Sequence, residues 1–286
     1  MQDRVNHATG IPVDANARRG ALSPMLPGLP GLPGWRAGLG ERLHAWSWLP
    51  WRPRCQGCGE RCHGERDLCP ACEAALPRIH AACTSCGLPM PSPAMAAMAA
   101  GAHPQHAAHA RCAECHRAPP PLDRVVVPFL YAAPLDRWVP RFKFHHDLAA
   151  GRLLSQLMLE ACAAAPRPDA LVPVPLHRAR LRRRGYDQAL ELAKPLARAL
   201  ALPLRTDLLR RVRATSAQSS LHAGERHRNL QGAFALARRA HRHPLPAHVA
   251  LIDDVMTTGA TLHAAARALR AAGVARVDAW ACARTP

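Results

Sequence analysis

The feature that most constrains the fold lies near the C-terminal end, where an apolar run is followed by two acids and a loop of small residues. Residues 249–252 are apolar and predict a buried strand, and the apolar periodicity over 262–274 predicts a helix. Residues 253–261 therefore predict a strand-to-helix loop. Ligands bind at such loops in open α/β sheets, so the same stretch is the first candidate for a functional site.

The predicted loop has the chemistry of a phosphate site. Gly259 allows a positive φ and a close approach of the backbone to a ligand. Free N–H groups at the start of the helix and the threonine hydroxyls beside them can donate to phosphate oxygens. We therefore predict a phosphate cup formed by Thr257, Thr258, Gly259, Ala260 and Thr261.

Two adjacent carboxylates, Asp253 and Asp254, precede this cup. They cannot bind phosphate directly, but carboxylates accept hydrogen bonds from ribose hydroxyls and also suit a Mg²⁺ shell. An acid pair beside a phosphate cup predicts a site for a ribose 5-phosphate group, with the two acids as candidate catalytic residues. Helix capping and dipole complementation are the alternative roles for any one of these residues.

Four C-x-x-C pairs occupy the second section of the chain. Each pair can point two thiolates at one ion, and two pairs complete the tetrahedral four-sulfur site that Zn²⁺ prefers. Sequence order predicts two structural zinc ions, although a cross-braced arrangement stays open, and Cys62 is expected to be a spare thiol or a substitute ligand. The first site is assigned to Cys55, Cys58, Cys69 and Cys72, and the second to Cys83, Cys86, Cys112 and Cys115.

The composition limits the class of protein and its partners. A chain of 286 residues can hold one α/β domain and a smaller module, and a formal net charge of +18 suits polyanions such as nucleic acid or phosphorylated substrates. Coding bias is the alternative source of the charge, since Lys143 and Lys194 are the only lysines. No window approaches the ~20 apolar residues of a membrane span. A cytoplasmic location is expected, in which eleven cysteines favour metal over disulfides.

The pattern divides the chain into three sections. Residues 1–53 predict a disordered basic arm whose tryptophans could stack on nucleobases or pack against a domain. Residues 54–119 predict the zinc-binding module with its four knuckles, including a histidine-rich spacer expected to be solvated coil. Residues 120–286 change to an α/β pattern. There we predict strands at 124–131, 170–174 and 276–283 and helices at 135–144, 147–163 and 186–200, the last kinked or divided at Pro195.

Two polar segments flank the last of these helices. Residues 178–184 contain five arginines, whose forks match the oxygens of a diphosphate, although a solvated helix face is the alternative. Residues 211 to about 231 predict an irregular polar loop. The stretch from 215 to 234 is too polar for a core and too long for an ordinary connection. It predicts a lid that closes over a site and excludes water. The candidate residues are Arg180 and Arg184 for the diphosphate and Thr215, Gln218, Arg226 and Asn229 for the lid.

The order of these motifs resembles a known family. The strand, the acid pair and Thr-Thr-Gly-x-Thr resemble the signature of type I phosphoribosyltransferases, which binds 5-phosphoribosyl 1-diphosphate (PRPP). The knuckles, the turn Val172-Pro173-Val174-Pro175, the motif Arg184-Gly185-Tyr186-Asp187-Gln188 and the polar segment occur in the order of the ComF family of competence proteins. The similarity covers residues 54–284, while the long arm and the long spacer depart from the family.

The resemblance implies a fold and a function. The fold is a type I phosphoribosyltransferase-like parallel sheet flanked by helices, preceded by a small four-cysteine zinc-binding module. The implied ligands are PRPP and Mg²⁺, with Val174, Arg180, Arg184 and Lys143 at the diphosphate, although Lys143 could equally be a surface residue. The implied setting is the handling of single-stranded DNA during natural transformation, with competence-machinery proteins as partners.

Two other functions remain open. One is a catalytically inactive, zinc-containing nucleic-acid-binding module that keeps the fold. The other is a nucleobase or amine phosphoribosyltransferase of salvage metabolism, whose acceptor the sequence does not indicate.

Overall fold

A computed structural model describes residues 54–62, 66–91, 111–214 and 232–286 of the chain, all within one compact unit, Arg52–Pro286. Three predictions concern residues outside this description: the N-terminal arm with its tryptophans, the histidine-rich spacer and the lid. None of the described helices is long and apolar enough to cross a membrane.

A five-stranded parallel sheet forms the centre of the fold. The strands of the described residues are β1 (Arg124–Val126), β2 (Phe129–Leu130), β3 (Ala170–Pro173), β4 (Leu209–Arg211), β5 (Phe234–Leu236), β6 (His248–Met256) and β7 (Arg276–Arg284). The order in the sheet is β1-β7-β6-β3, and β2 pairs with the end of β7 beyond β1. A separate antiparallel pair is formed by β4 and β5.

Helices cover this sheet, as the predicted fold class requires, and that prediction is confirmed. The helix predicted at 135–144 has these bounds in the structure. The helix predicted at 147–163 begins one residue later because Asp147 caps it, accepting from the Ala150 N–H at 2.9 Å. The helices are α1 (Pro70–Ala74), α2 (Ala113–Arg117), α3 (Leu135–Phe144), α4 (Leu148–Ala163), α5 (Arg178–Arg184), α6 (Gln188–Ala199) and α7 (Ala260–Ala271).

The two central strands, β6 and β7, carry apolar side chains on both faces of the sheet. Ala250 and Ile252 of β6 pack into a core with α3, α4 and α6, while Val249 and Leu251 point into a second core with α7. Successive side chains of a strand point to opposite faces, so a strand covered on both sides must be a continuous apolar run. The run that identified this strand therefore follows from its central position in the sheet.

Helix α6 is one helix, although a division at Pro195 was among the expectations. Its buried face, which includes Leu192 and Leu196, packs against α4, β3 and β6. Burying such a face stabilises the helix by more than the loss of one backbone hydrogen bond at a proline costs.

Two predicted loops are more ordered than expected. Strand β6 continues to Met256, because β7 pairs with it as far as Arg284, and Asp253 lies opposite Ala281 in this ladder. The acid pair is therefore part of the strand, and the loop that follows spans only 257–259. The segment predicted as irregular from residue 211 begins inside a strand, since Arg211 of β4 pairs with Phe234 of β5.

The cysteine-bearing segment packs directly against the sheet and its helices. The Trp138 indole N–H donates to the Gln56 carbonyl at 3.1 Å, and the Val125 N–H donates to the Thr84 carbonyl at 2.7 Å. The buried Arg284 donates from Nε to the Cys86 carbonyl at 2.9 Å and from Nη1 to the Met256 carbonyl at 3.3 Å. The end of β7 is thus bonded both to a cysteine knuckle and to the end of β6.

Candidate functional site

A cavity of about 280 Å³ opens at the carboxyl ends of β3 and β6. This is where open α/β sheets bind ligands. The four predicted lid residues, Thr215, Gln218, Arg226 and Asn229, lie outside the described residues. The predicted acidic and substrate-binding residues all line the cavity: Lys143, Val174, Arg180, Arg184, Asp253, Asp254, Thr257, Thr258, Gly259, Ala260 and Thr261.

The acid pair sits at the end of β6 and has a cationic partner. Lys143 Nζ lies 2.8 Å from Asp254 Oδ1, and both side chains are largely buried. The attraction of the two acids outweighs the cost of burying the ammonium, so the pKa of Lys143 is raised and the lysine stays protonated. Lys143 is therefore a largely buried pocket residue, paired with one of the two predicted acids.

Asp253 lies in a different electrostatic environment. Burial and the adjacent Asp254 raise the pKa of Asp253 from 3.8 to about 7, while Lys143 offsets part of that rise. Its Oδ1 also accepts the Asp254 N–H at 2.9 Å. Near neutral pH this carboxyl can accept or donate hydrogen bonds, which suits a group facing sugar hydroxyls.

The loop after β6 is shaped by Gly259. Its φ is +75°, a left-handed conformation, and a Cβ there would lie 2.6 Å from Met256 Cε. Helix α7 starts at the next residue, and its first amides have no acceptor within the helix. The Ala260 N–H is 3.4 Å from Thr258 Oγ1. The loop therefore presents backbone donors and hydroxyls to the cavity, as an anion site requires.

Basic side chains also line the cavity. Arg184 of α5 donates to Gln188 Oε1 at 2.6 Å, and Arg180 lies one turn before it on the same helix. Burial and the neighbouring Arg184 lower the pKa of Arg180, which nevertheless remains charged. The lining of the cavity thus combines positively charged groups with carboxylates.

Several lining residues were not predicted as site residues: Tyr131, Asp187, Gln188, Arg211 and Thr285. Asp187 caps α6 by accepting from Leu190 N–H and also accepts the Leu176 N–H at 3.0 Å, so it positions the β3–α5 turn. Asp187 and Gln188 belong to the motif that carries the family resemblance, so the sequence could have indicated them as site residues. Nothing in the sequence indicated that Arg211 lines the cavity, because the strand position that it occupies was predicted as the start of a loop.

The cysteines form two four-thiol clusters, and within each cluster the Sγ atoms lie within 4.8 Å of one another. The grouping follows sequence order, not the cross-braced alternative. Cys62 is buried outside both clusters, and burial raises its pKa to about 11. The clusters are Cys55, Cys58, Cys69 and Cys72, and Cys83, Cys86, Cys112 and Cys115.

Backbone N–H groups donate hydrogen bonds to one thiol in each cluster. Burial alone would raise the pKa of Cys55, but N–H groups that include those of Cys69 and Gly57 donate to its Sγ and lower the pKa to about 6. The Cys112 N–H donates in the same way to Cys83 Sγ at 3.3 Å. Such bonds orient metal-ligating thiolates, and a closed four-sulfur set is compatible with structural zinc.

Comparison with known proteins places the chain among its relatives. A family model described as phosphoribosyl transferase domain matches residues 187–285. Competence protein F of Haemophilus influenzae is 38% identical over 176 residues, which are 59% of this chain and 76% of that protein. DNA utilization protein YhgH of Salmonella typhi is 35% identical over 227 residues, covering 76% and 90% of the two chains. YhgH of Escherichia coli K12 is 33% identical over 231 residues, covering 78% and 92%.

The chain belongs to the ComF family. The resemblance predicted from the motifs is therefore confirmed. The matched phosphoribosyl transferase domain of this ComF protein begins at Asp187, at the start of α6, and runs to the end of β7. It contains the acid pair, the Gly259 loop and α7, so the cavity lies largely within the matched region.

Proposed function

We propose that this ComF protein binds PRPP together with Mg²⁺ and acts in the handling of single-stranded DNA during natural transformation. One observation supports the proposed binding of PRPP and Mg²⁺. A single cavity brings together the acid pair, the Gly259 loop and basic residues from three separate segments. PRPP carries hydroxyls, a monophosphate and a diphosphate, and the lining residues include chemical groups that suit each of these.

The proposed pose follows the charges. The 5-phosphate lies in the loop 257–261, where amides and hydroxyls donate. Asp253 and Asp254 accept from the ribose hydroxyls, and Lys143 holds the second of these acids in place. The diphosphate faces Arg180 and Arg184 beside the turn at Val174.

The reaction that this pose supports is departure of diphosphate from the sugar. Positive charge develops on the ribose and negative charge on the diphosphate, so arginines already aimed at the diphosphate lower the barrier. The cavity carboxylates are the donor type that Mg²⁺ prefers, and Mg²⁺ bound there supplies further positive charge against the diphosphate. Residues 215–229, the proposed lid, would exclude water.

Two zinc ions are proposed as structural elements. A closed set of four thiolates leaves no open position for substrate, so the ions would stabilise the cysteine segment without taking part in chemistry. The proposed role in DNA handling is supported by the names of the relatives, which are a competence protein and DNA utilization proteins.

Isothermal titration of the zinc-loaded chain with PRPP and Mg²⁺ tests the binding proposal. We expect saturable heat that is lost in Asp253→Ala, with Asp207→Asn as a control for a carboxylate outside the cavity. No heat at millimolar PRPP would refute the proposal. Turnover is measured separately as PRPP-dependent diphosphate release against a panel of bases and amines, and we expect it to disappear in Asp254→Ala.

The second candidate is a nucleic-acid-binding module that does not turn PRPP over. The observation that favours it is the 2.8 Å contact between Lys143 and Asp254, because a lysine already neutralises one of the two acids. This candidate predicts single-strand binding that weakens steeply with salt and is unchanged by Asp253→Ala. The transferase predicts diphosphate release that this substitution abolishes.

A further inference from the structure

The most exposed large apolar side chains among the described residues occur near one another in the fold. Phe144 is 62% exposed, Leu148 55% and Leu181 38%. Phe144 ends α3, Leu148 begins α4, and Leu181 lies on α5. The Arg184 guanidinium lies over the Phe144 ring, 4.9 Å from its centroid, and so joins α5 to the end of α3. An exposed apolar group next to a pocket marks an interaction site more often than a scattered single residue does.

The same surface is strongly basic. Helix α5 contains five arginines and no acid, and Arg178, Arg182 and Arg183 are exposed. No described carboxylate lies within ion-pair distance of these three, in contrast to Arg276, for example, which pairs with Asp278. Asp147, which caps α4, is held by Arg141 at 2.6 Å. Uncompensated positive charge on one short helix favours an anionic partner.

We propose that the surface formed by Phe144 and the exposed arginines of α5, here called the α5 surface, binds a single strand of DNA beside the cavity. Phe144 stacks on a base, and Arg178, Arg182 and Arg183 contact the phosphates. The proposal rests on the proposed role in DNA handling and gives that role a location. Arg184 links the two sites, because it lines the cavity and also contacts the Phe144 ring.

The chemistry favours a single strand over other polyanions. A flexible strand can turn one base onto an exposed ring while its phosphates follow a row of guanidinium groups. A duplex keeps its bases stacked and would use the arginines alone. An acidic protein would also be attracted to the arginines. If such a protein were the partner of this surface, the affinity of the chain for an oligonucleotide would not depend on Phe144.

Fluorescence anisotropy with a dye-labelled oligothymidylate tests the proposal on the full, zinc-loaded chain. Phe144→Ala should weaken binding by about tenfold, because stacking on one aromatic side chain contributes roughly that much per base. Phe144→Tyr should bind like the unsubstituted chain and Phe144→Leu like Phe144→Ala, which separates stacking from simple apolar contact. A duplex of the same length should respond little to these substitutions.

The arginines are tested through the salt dependence. Replacing Arg178, Arg182 and Arg183 together by Gln should reduce the slope of log Kd against log salt by about 2, at roughly 0.7 per lost phosphate contact on a single strand. The matched control replaces three arginines that are exposed on another segment and do not line the cavity. These are Arg238, Arg239 and Arg242, and their replacement should leave most of the slope in place.

The outcomes separate this proposal from the function on which it rests. If the unsubstituted chain binds the oligonucleotide and both sets of arginine variants behave alike, or if Phe144→Ala binds normally, the α5 surface is refuted and DNA handling stands. If the chain binds no oligonucleotide even at low salt, the DNA-handling role itself fails. PRPP titration of the Phe144→Ala variant should match that of the unsubstituted chain, which also verifies that the variant is folded.

Discussion

Replacing Asp253 by Asn should make the protein more stable while abolishing its proposed ligand binding. The carboxyl has a pKa raised from 3.8 to about 7 by burial and by the charge of Asp254. An acid whose folded-state pKa is raised gives full stability below its unfolded-state pKa, and that stability is lost as the pH rises through about 7. Asn cannot ionise and keeps an oxygen for the Asp254 N–H, so the variant avoids the loss.

The magnitude follows from the shift. A change of about three pKa units corresponds to roughly 4 kcal/mol, since each unit is about 1.4 kcal/mol. Relaxation and water around the charge reduce this, and we expect about 2 kcal/mol at pH 8, where Asp253 is ionised in the folded state. At pH 5.5 the folded-state carboxyl holds its proton more often than at pH 8, so the advantage should be smaller there.

Thermal unfolding of the zinc-loaded chain at pH 5.5 and pH 8, without PRPP or Mg²⁺, measures the effect. A gain of about 2 kcal/mol raises the Tm by about 4–8 °C in a unit of this size. Asp207→Asn is the control of opposite sign. The guanidinium of Arg205 bonds Asp207 at 2.8 Å and lowers its pKa, so the loss of this carboxylate should reduce the stability.

Two results would refute the reasoning. An Asp253→Asn variant no more stable than the unsubstituted chain at pH 8 would mean that the buried charge costs nothing. An advantage equal at both pH values would mean that it does not come from ionisation. The Asp207 variant controls for zinc loss at the lower pH, because both proteins experience the same conditions.

Three further predictions concern glycines and metal. Gly259→Ala should weaken PRPP binding at least tenfold in the same titration, because φ is +75° and the new Cβ would meet Met256 Cε at 2.6 Å; unchanged affinity would contradict the role of the loop. Gly151→Ala should lower the unfolding free energy by about 1–3 kcal/mol, because its Cβ would lie 2.4 Å from the buried Phe142 ring. Phe142→Leu in that background should recover part of the loss. Elemental analysis should find two zinc ions per chain and one in Cys115→Ser, and a count near zero in fresh protein would exclude the zinc assignment.

The central sheet and its flanking helices were predictable because burial on both faces leaves a clear mark in the sequence. The apolar run at 249–252 predicted a buried strand, and the bounds of α3 followed from its apolar period. The end of β6 was not predictable in the same way. Polar residues such as Asp253 usually indicate a loop, but here pairing with β7 continues through it.

The cavity was predictable where the chain carries a continuous motif and not where distant segments meet. The acid pair and the Gly259 loop lie in one stretch, so their positions follow from it. The partnership of Lys143 with Asp254 joins α3 to β6, which no local pattern encodes. Arg211 reaches the cavity on a short antiparallel pair whose strands are three residues each, too short for periodicity to detect.

Arg284 makes the oxidation state of the thiols relevant to the ligand site. Its guanidinium is shared between the carbonyls of Cys86 and Met256, and the next residue, Thr285, forms part of the cavity wall. If the second cluster holds the proposed zinc ion, an oxidant that ejected it would release the Cys86 knuckle and leave this buried cation with one anchor fewer. Redox damage at this cluster would then be transmitted, through a single side chain, to the proposed site for a phosphorylated sugar.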